Sequence, residues 1–206
     1  MLTIVDYDIG NLASLKNMLK KIGVESIIAT TENEILSASK IILPGFGAFD
    51  TCAEKLQRSG LIPALKNKVL MDGVPVLGIC VGMQLLFSSS EEGVLPGLRL
   101  IEGKNIKFKQ TDMPSNLKIP HMGWSSVQIE KKSPLVDDLE ADPRFYFGHS
   151  YHAVVDNVDD ALVSVEYGYR FVAGVARNNI YGVQFHPEKS HRFGMKLLDN
   201  FVNRVQ

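Results

Sequence analysis

A cysteine between two glycines stands where an apolar stretch ends, in Gly78-Ile79-Cys80-Val81-Gly82. This pattern is typical of a nucleophile elbow, a sharp strand-to-helix turn that presents a reactive side chain at the carboxyl end of a sheet. The N–H groups that begin the following helix, expected at 81–87, favour the thiolate over the thiol. The pattern is compatible with a nucleophile, although a small buried cysteine packed at a strand end is the more ordinary interpretation when the motif is considered alone.

A second candidate group ends the apolar stretch 181–188, which closes with His186-Pro187-Glu188. In extended backbone, residues i and i+2 point the same way, so Glu188 can lie beside the imidazole of His186. A carboxylate on one ring nitrogen leaves the other nitrogen to take the thiol proton of Cys80. In isolation, a rim histidine near an exposed carboxylate is the more ordinary interpretation. Because both motifs follow apolar strands, we predict Cys80, His186 and Glu188 as nucleophile, base and orienting carboxylate.

A glycine-rich turn, Pro44-Gly45-Phe46-Gly47, follows another apolar strand. Acyl transfer creates an oxyanion that backbone N–H groups commonly stabilise, each by about 2.7–4 kcal/mol. Val81 offers one N–H, and Phe46 or Gly47 can offer the second. A plain turn accounts for the two glycines about as well.

The first half of the chain alternates strands and helices that can position these residues. Strand patterns lie at 2–7, 24–29, 40–43 and 74–79, and helical patterns at 11–22, 31–39, 48–59 and 63–71. Asn11 is the expected cap of the first helix, and Thr31 with Glu34 forms a capping box for the second. Buried strands joined by helices predict an α/β fold with a parallel sheet covered on both faces.

The second half predicts an antiparallel β extension. Short strand patterns lie at 104–109, 124–129, 145–150, 162–167, 171–176 and 181–185. Asn178-Asn179 stands between two of them and is typical of a two-residue hairpin turn. Helical spacing returns at 193–205.

The chain has 206 residues, 45% hydrophobic and 22% charged, with 17 glycines and 9 prolines. These values exclude a disordered chain, a collagen or a disulfide scaffold, and we expect one domain spanning 1–206. Lys plus Arg is 22 and Asp plus Glu is 23, which gives a formal net charge of -1. Since no basic excess exists to release counterions from a phosphate backbone, a nucleic acid partner is not expected.

The chain has two cysteines, Cys52 and Cys80, which are too few for disulfide bonds to stabilise a chain of this length. They predict reduced thiols, as in the cytoplasm. The first residues carry no basic segment of a signal peptide. The longest apolar run, 74–87, contains glycines and a glutamine and is shorter than the roughly 20 residues of a membrane span. We therefore expect a cytoplasmic protein without a membrane segment.

The histidine pairs do not match a metal site. His149 and His152 are close in sequence, and His186 and His191 form a looser pair, but neither has a third ligand at a zinc spacing. The chain has no Walker loop, and the glycine-rich turn lacks the third glycine of a dinucleotide fingerprint. We expect neither a metal nor a cofactor.

Taken together, the motifs resemble those of class I, triad-type glutamine amidotransferases from end to end of the chain. The similarity is greatest to the glutaminase subunits of imidazole glycerol phosphate synthases. The matching segments, in order, are 6–11, 44–49, 78–84, 120–124, 147–151 and 182–190. The resemblance implies an open, flavodoxin-like, mostly parallel sheet with helices on both faces and the antiparallel extension.

The resemblance also implies a role for each matching residue. Cys80 is the nucleophile, His186 the base and Glu188 its partner, with Phe46 and Val81 at the oxyanion hole. The implied glutamine pocket comprises Gly47, Gln84, Ser150 and Tyr151. The residues implied to face a synthase subunit are Asn11, Trp124, Tyr146 and Lys189.

The implied reaction hydrolyses L-glutamine to glutamate and ammonia through a cysteine thioester. Ammonia would pass through a protected passage to a cyclase subunit of a heterodimer, which makes imidazole glycerol phosphate and AICAR in histidine biosynthesis. Ammonia needs this protection because in neutral water it becomes ammonium, which is not a nucleophile.

Two positions depart from the usual family pattern: Val81 replaces Leu, and Ser125 replaces Asn on a surface expected to meet the partner. The tail 188–195 resembles a paralogous branch whose ammonia serves amidation of a surface-polysaccharide sugar, so that acceptor remains an alternative. More distant alternatives are a cysteine peptidase or γ-glutamyl hydrolase on the same sheet, and a non-enzymatic module.

Overall fold

The structure is a computed structural model that describes residues 1–9 and 12–206. Asn11, the expected helix cap and partner contact, lies outside the described residues. The strands in chain order are β1 Leu2–Val5, β2 Ser26–Ala29, β3 Lys40–Gly45, β4 Val76–Cys80, β5 Gly103–Lys107, β6 His121–Ser126, β7 Gln128–Ile129, β8 Arg144–His149, β9 Tyr151–Val155, β10 Ala161–Tyr167, β11 Tyr169–Arg177 and β12 Ile180–Val183.

The α-helices are α1 Leu12–Lys21, α2 Glu32–Leu36, α3 Phe49–Arg58, α4 Ile62–Lys66, α5 Val81–Gln84 and α6 His191–Asn203. A π-helical turn, Asn67–Met71, continues α4. Short 3₁₀ turns lie at Gln110–Asp112, Pro134–Val136, Val158–Asp160 and Pro187–Lys189.

The central sheet has the order β2-β1-β3-β4-β12-β11-β10-β7. The strands from β2 to β12 are parallel, in the flavodoxin-like order 2-1-3-4-5 if β12 is counted as the fifth. Beyond β12 the sheet is antiparallel, and β9 pairs with both β11 and β5. The predicted α/β fold with an antiparallel extension is therefore confirmed.

Helices cover both faces of the parallel strands. Parallel crossovers are right-handed, so the step from β1 to β2 places α1 on one face, and the opposite steps to β3 and β4 place α2, α3 and α4 on the other. Contacts of α1 with α6, and of α2 with α4, fit this arrangement. Buried hydrophobic residues from both halves of the chain form one cluster.

Two local sequence signals are confirmed. Thr31 and Glu34 form both bonds of a capping box at the start of α2. Asn178 and Asn179 connect β11 to β12 as a two-residue turn, in which Asn178 adopts a positive φ of 54°. Asparagine tolerates this left-handed conformation better than most residues, which accounts for its presence here.

Two local predictions are wrong. The helix expected at 81–87 ends at Gln84, because the chain then turns and Leu86 and Phe87 pack inside the protein. Strand β9 was not predicted, because its pattern continues directly from β8 and only Ser150 separates them. The two strands belong to different sheets: β8 pairs with β6, and β9 joins the central sheet.

Candidate active site

Cys80 is the last residue of β4 and leads directly into α5. Its φ of 55° and ψ of -115° lie outside the regions that L-residues ordinarily adopt, as in a nucleophile elbow. Glycines allow the close approach at this turn. A Cβ at Gly82 would lie 1.9 Å from the Leu43 carbonyl oxygen, and a Cβ at Gly78 would lie 2.6 Å from that of Gly82. A larger residue at either position would force the backbone apart.

Strand β4 lies between β3 and β12, so the segments that follow all three strands meet at one edge of the sheet. Gly45 of β3 pairs with Cys80, and Val183 of β12 pairs with Ile79. The glycine-rich loop therefore lies on one side of Cys80, and the segment containing His186 lies on the other.

His186 connects Cys80 with Glu188. Its Nδ1 lies 2.8 Å from Oε1 of Glu188, and the two side chains are 6% and 1% exposed. Cys80 lies close enough to His186 to interact with its imidazole, and both residues line the same cleft. Burial lowers the pKa of the imidazole, but the hydrogen bonds and charges of Cys80 and Glu188 outweigh burial and raise this pKa to about 10. This shift favours the charged imidazolium over the neutral imidazole.

The backbone of His186 is held against β8. Its N–H donates to the Tyr146 carbonyl over 2.9 Å. The buried Ser190 hydroxyl donates to the His186 carbonyl over 2.6 Å and accepts from the Tyr146 N–H over 3.0 Å. These bonds fix the imidazole relative to β8.

Two buried side chains hold the glycine-rich loop. The Tyr7 hydroxyl donates to the Pro44 carbonyl over 2.6 Å, and the Cys52 thiol donates to the Phe46 carbonyl over 3.2 Å. The Phe46 ring stacks on the His186 imidazole, with 5.7 Å between centroids and 14° between planes. The loop is thus fixed by the core on one side and contacts the imidazole on the other.

A cleft of about 360 Å³ opens beside Cys80 and His186. Its volume falls in the range of small-molecule sites. The predicted oxyanion and glutamine-pocket residues all line it, namely Phe46, Val81, Gly47, Gln84, Ser150 and Tyr151. Glu188 lies behind His186 rather than in the cleft wall.

Gln84 is buried and directs its amide nitrogen into the protein. Nε2 donates to the Tyr151 carbonyl over 3.2 Å and to Oε1 of Gln184 over 3.0 Å. Within residues 1–9 and 12–206, the buried Oε1 of Gln84 has no hydrogen-bond partner.

Two polar residues at the site were missed by the sequence reasoning. Glu92 lines the cleft, and its Oε2 accepts from the N–H of Phe49 at the start of α3 over 2.8 Å. No sequence pattern singles it out. Gln184 is fully buried, with Nε2 3.8 Å from Sγ of Cys80. Side chains at positions i and i+2 of an extended segment point the same way, so Gln184, two residues before His186, could have been identified from that spacing.

Three of the residues expected to face a partner form a cluster beside the cleft, which we call the Trp124 surface. Trp124 and Tyr146 pair across β6 and β8, with ring centroids 6.3 Å apart. Nζ of Lys189 lies 5.7 Å from the centroid of the Tyr146 ring. Trp124 is 41% exposed and stacks on His191, the remaining member of this surface.

Ser125 points to the opposite face of β6 from Trp124. Side chains alternate along β6, so Met122 and Trp124 are exposed while His121 is buried and Ser125 is half-buried. Oγ of Ser125 lies 2.8 Å from Nε2 of His121, on the inward face of the strand.

In the part of the chain that the structure describes, no group of three or more His, Cys, Asp or Glu residues is arranged to hold a metal ion. The helices described there also include none that is long and apolar enough to cross a membrane.

Comparison with protein families matches residues 3–205 to the model for "Glutamine amidotransferase class-I". The chain belongs to the class-I glutamine amidotransferase family. It is 48% identical to the imidazole glycerol phosphate synthase subunit HisH 2 of Methanococcus maripaludis, covering 100% of both chains. It is also 48% identical to the subunit HisH of Bdellovibrio bacteriovorus, covering 98% of each chain.

Among solved structures, the amidotransferase chain resembles that of PurLQS from Thermotoga maritima, with a TM-score of 0.73 and 19% sequence identity. The alignment covers 100% of this chain and 98% of the other. At this identity the likeness concerns the fold, and it agrees with the sheet order described above.

Proposed function

We propose that the chain is the glutaminase subunit of an imidazole glycerol phosphate synthase, which hydrolyses L-glutamine and passes ammonia to a cyclase subunit in histidine biosynthesis. The observation that carries the proposal is that Cys80 and His186 line one cleft, with the His186 imidazole held by Glu188. Relatives that are 43–48% identical carry the name of this synthase subunit. Those names favour it over the polysaccharide branch, a peptidase or a γ-glutamyl hydrolase.

Cys80 is the proposed nucleophile. Its thiolate attacks the side-chain amide carbon of glutamine and forms a tetrahedral intermediate whose oxygen is negatively charged. His186 gives its Nε2 proton to the amide nitrogen, which leaves as ammonia, and the thioester remains on Cys80. The neutral imidazole then takes a proton from a water molecule that attacks the thioester. Collapse of this second intermediate releases glutamate and restores the thiolate and the imidazolium.

Glu188 positions the base for both steps. Since it accepts the Nδ1 hydrogen, the Nε2 position remains directed at Cys80 and the substrate. Its negative charge also stabilises the imidazolium.

Backbone N–H groups of Val81 and of the glycine-rich loop at Phe46 are the proposed oxyanion donors. The support is their position in the cleft wall beside Cys80 and the two side-chain contacts that fix the loop. Preorganised donors of this kind stabilise charge that develops only during the reaction.

One acceptor in the cleft suits the α-ammonium group of glutamine. Glu92 presents a carboxylate that is only partly used by the Phe49 N–H, and Gln84 lines the same cleft. A charge-assisted bond to the ammonium would fix the substrate with its amide carbon toward Cys80. Gly47, Ser150 and Tyr151 complete the proposed glutamine pocket; these three residues line the same cleft.

The Trp124 surface, together with Asn11, is the proposed contact with the cyclase subunit in a heterodimer. Exposed aromatic rings beside an active-site cleft are typical of a protein interface. Tyr146 belongs to this surface and bonds to the backbone of His186, so docking there would act directly on the base. The two free thiols, Cys52 and Cys80, fit a reducing compartment, and we place the complex in the cytoplasm.

The test measures glutamate release and imidazole glycerol phosphate formation with and without a purified cyclase subunit. We expect glutamate release to rise strongly on addition of the cyclase. Cys80→Ala should abolish synthesis from glutamine and leave synthesis from added ammonia intact, because only amide hydrolysis needs the sulfur.

Equal loss of both syntheses in the Cys80→Ala complex would contradict a role confined to hydrolysis. Activation by a polysaccharide-pathway synthase, with none by the cyclase, would instead identify the paralogous branch. Rapid peptide or folate cleavage without any partner would point to the hydrolase alternatives.

A further inference from the structure

We propose that Gln184 is a further catalytic residue, which donates a hydrogen bond from its amide nitrogen to the sulfur of Cys80. Gln84 and the Tyr151 carbonyl hold its amide in that orientation. The proposal rests on the proposed function, in which the Cys80 thiolate is the nucleophile.

Gln184 follows β12 directly and lies next to Cys80 at the end of the neighbouring strand. Its side chain is fully buried, and Nε2 lies 3.8 Å from Sγ of Cys80. This distance is within reach of an N–H donor to sulfur. A fully buried amide needs partners for its oxygen and its nitrogen.

The orientation of both amides follows from the Tyr151 carbonyl, which can only accept. The Gln84 atom that faces it at 3.2 Å must therefore be the NH₂ group. The second hydrogen of that group is directed at the Gln184 side chain over 3.0 Å, so the Gln184 atom at that position must be the oxygen. The nitrogen of Gln184 is then left to face Cys80.

Rotating either amide creates an unfavourable contact. Rotating Gln84 would place its oxygen against the Tyr151 carbonyl oxygen. Rotating Gln184 alone would place two NH₂ groups together, at a buried position where an unpaired donor is unfavourable. His149 reinforces the arrangement, because its Nδ1 lies 2.7 Å from the same Tyr151 carbonyl.

A donor that cannot accept favours the thiolate over the thiol, since only the thiolate offers a full negative charge to the N–H. The helix after Cys80 has four residues, and its macrodipole is correspondingly small. A fixed amide donor therefore adds to the contribution of His186. The titratable groups that interact with Cys80 or line the cleft are His186, Tyr7, Cys52, Glu92, His149, Tyr151 and Lys189.

The experiment is alkylation of the full-length protein by iodoacetamide across a range of pH, with glutaminase kinetics on the same preparations. Gln184→Leu keeps the approximate size and removes the donor. We expect the midpoint of its pH–rate profile to rise by about 0.5–1 pH unit, and alkylation at pH values below the parent midpoint to slow about three- to tenfold. The kcat for glutamine hydrolysis should fall as well.

Two control variants test whether the fast alkylation belongs to Cys80 and whether the change in the pH–rate profile depends on the position of the Gln-to-Leu substitution. Cys80→Ala should lose the fast alkylation and retain any slow reaction of Cys52. Gln128→Leu makes the same change at an exposed position on β7 and should keep the parent profile.

Gln184→Glu provides a second variant in case Gln184→Leu does not fold. It keeps the acceptor for Gln84 and places a carboxylate oxygen beside the sulfur, so the midpoint should rise further. If KM for glutamine rises while the midpoint stays at the parent value, Gln184 only supports Gln84 and the proposal is overturned. If the parent shows no glutaminase activity dependent on Cys80, the proposed function itself has failed, which is a distinct result.

Discussion

His121 and His149 are joined by a buried hydrogen bond of 3.2 Å between Nδ1 of His121 and Nε2 of His149. His149 Nδ1 faces the Tyr151 carbonyl, so His149 carries its proton on Nδ1. Burial lowers the pKa of His149 to about 3 and that of His121 to about 4, so each neutral ring holds one proton at pH 7. Nε2 of His149 must then accept from His121, and His121 must accept from the Ser125 hydroxyl.

Ser125→Ala removes the hydroxyl that donates to His121, the first in this series of hydrogen bonds. His121 Nε2 then has no donor, and a change of tautomer would set two acceptors against each other at His149. We expect the free energy of unfolding to fall by about 1 kcal/mol and KM for glutamine to rise a few fold, because Tyr151 lines the cleft. Urea denaturation and glutaminase kinetics measure both.

Ser125→Asn is the matched variant, since its amide can also donate and Asn is usual at this position in the family. It should keep both values near those of the parent. Parent-like stability and KM in Ser125→Ala would show that the series does not depend on Ser125.

The two histidines also predict how stability depends on pH. Their folded pKa values lie below the ordinary value of 6.5, so the unfolded chain binds more protons below pH 6.5. Stability is therefore lost as pH falls from 6.5 toward 4, by up to about 1.4 kcal/mol per pH unit for each histidine. His121→Gln should reduce this slope by about that amount, measured by urea denaturation between pH 6 and 4.5. An unchanged slope would show that His121 titrates normally.

Glu92→Gln tests the proposed ammonium contact. Gln keeps an oxygen for the Phe49 N–H but loses the charge, so KM for glutamine should rise about tenfold with a smaller change in kcat. Glu54→Gln, at an exposed position on α3, is the control and should behave as the parent. A parent-like KM in Glu92→Gln would remove Glu92 from the substrate site.

Lys189→Ala tests the Trp124 surface. Loss of the cation beside the Tyr146 ring should weaken binding of the cyclase subunit several fold, and activation with it, while alkylation of Cys80 stays near the parent rate. Titration calorimetry measures the affinity, with the exposed Lys132→Ala as control. Unchanged affinity and activation would move the interface elsewhere.

The sequence by itself determined the elbow around Cys80, the pairing of His186 with Glu188 and the α/β alternation. Each depends on residues near in sequence: glycines that allow a sharp turn, a proline that keeps its neighbour extended, and apolar residues at strand and helix spacing. The similarity of its motifs to a family added the residues expected to form a glutamine pocket, and these residues line one cleft.

Only the tertiary structure decided which distant polar groups meet. Gln84 and Gln184, like Ser125, His121 and His149, interact because strand order and register bring them together and burial leaves each few possible partners. The same packing ended the helix after Cys80 at Gln84 and turned Ser125 inward. Such contacts have no local sequence pattern, because a hydrogen bond across a sheet depends on where the whole chain has folded.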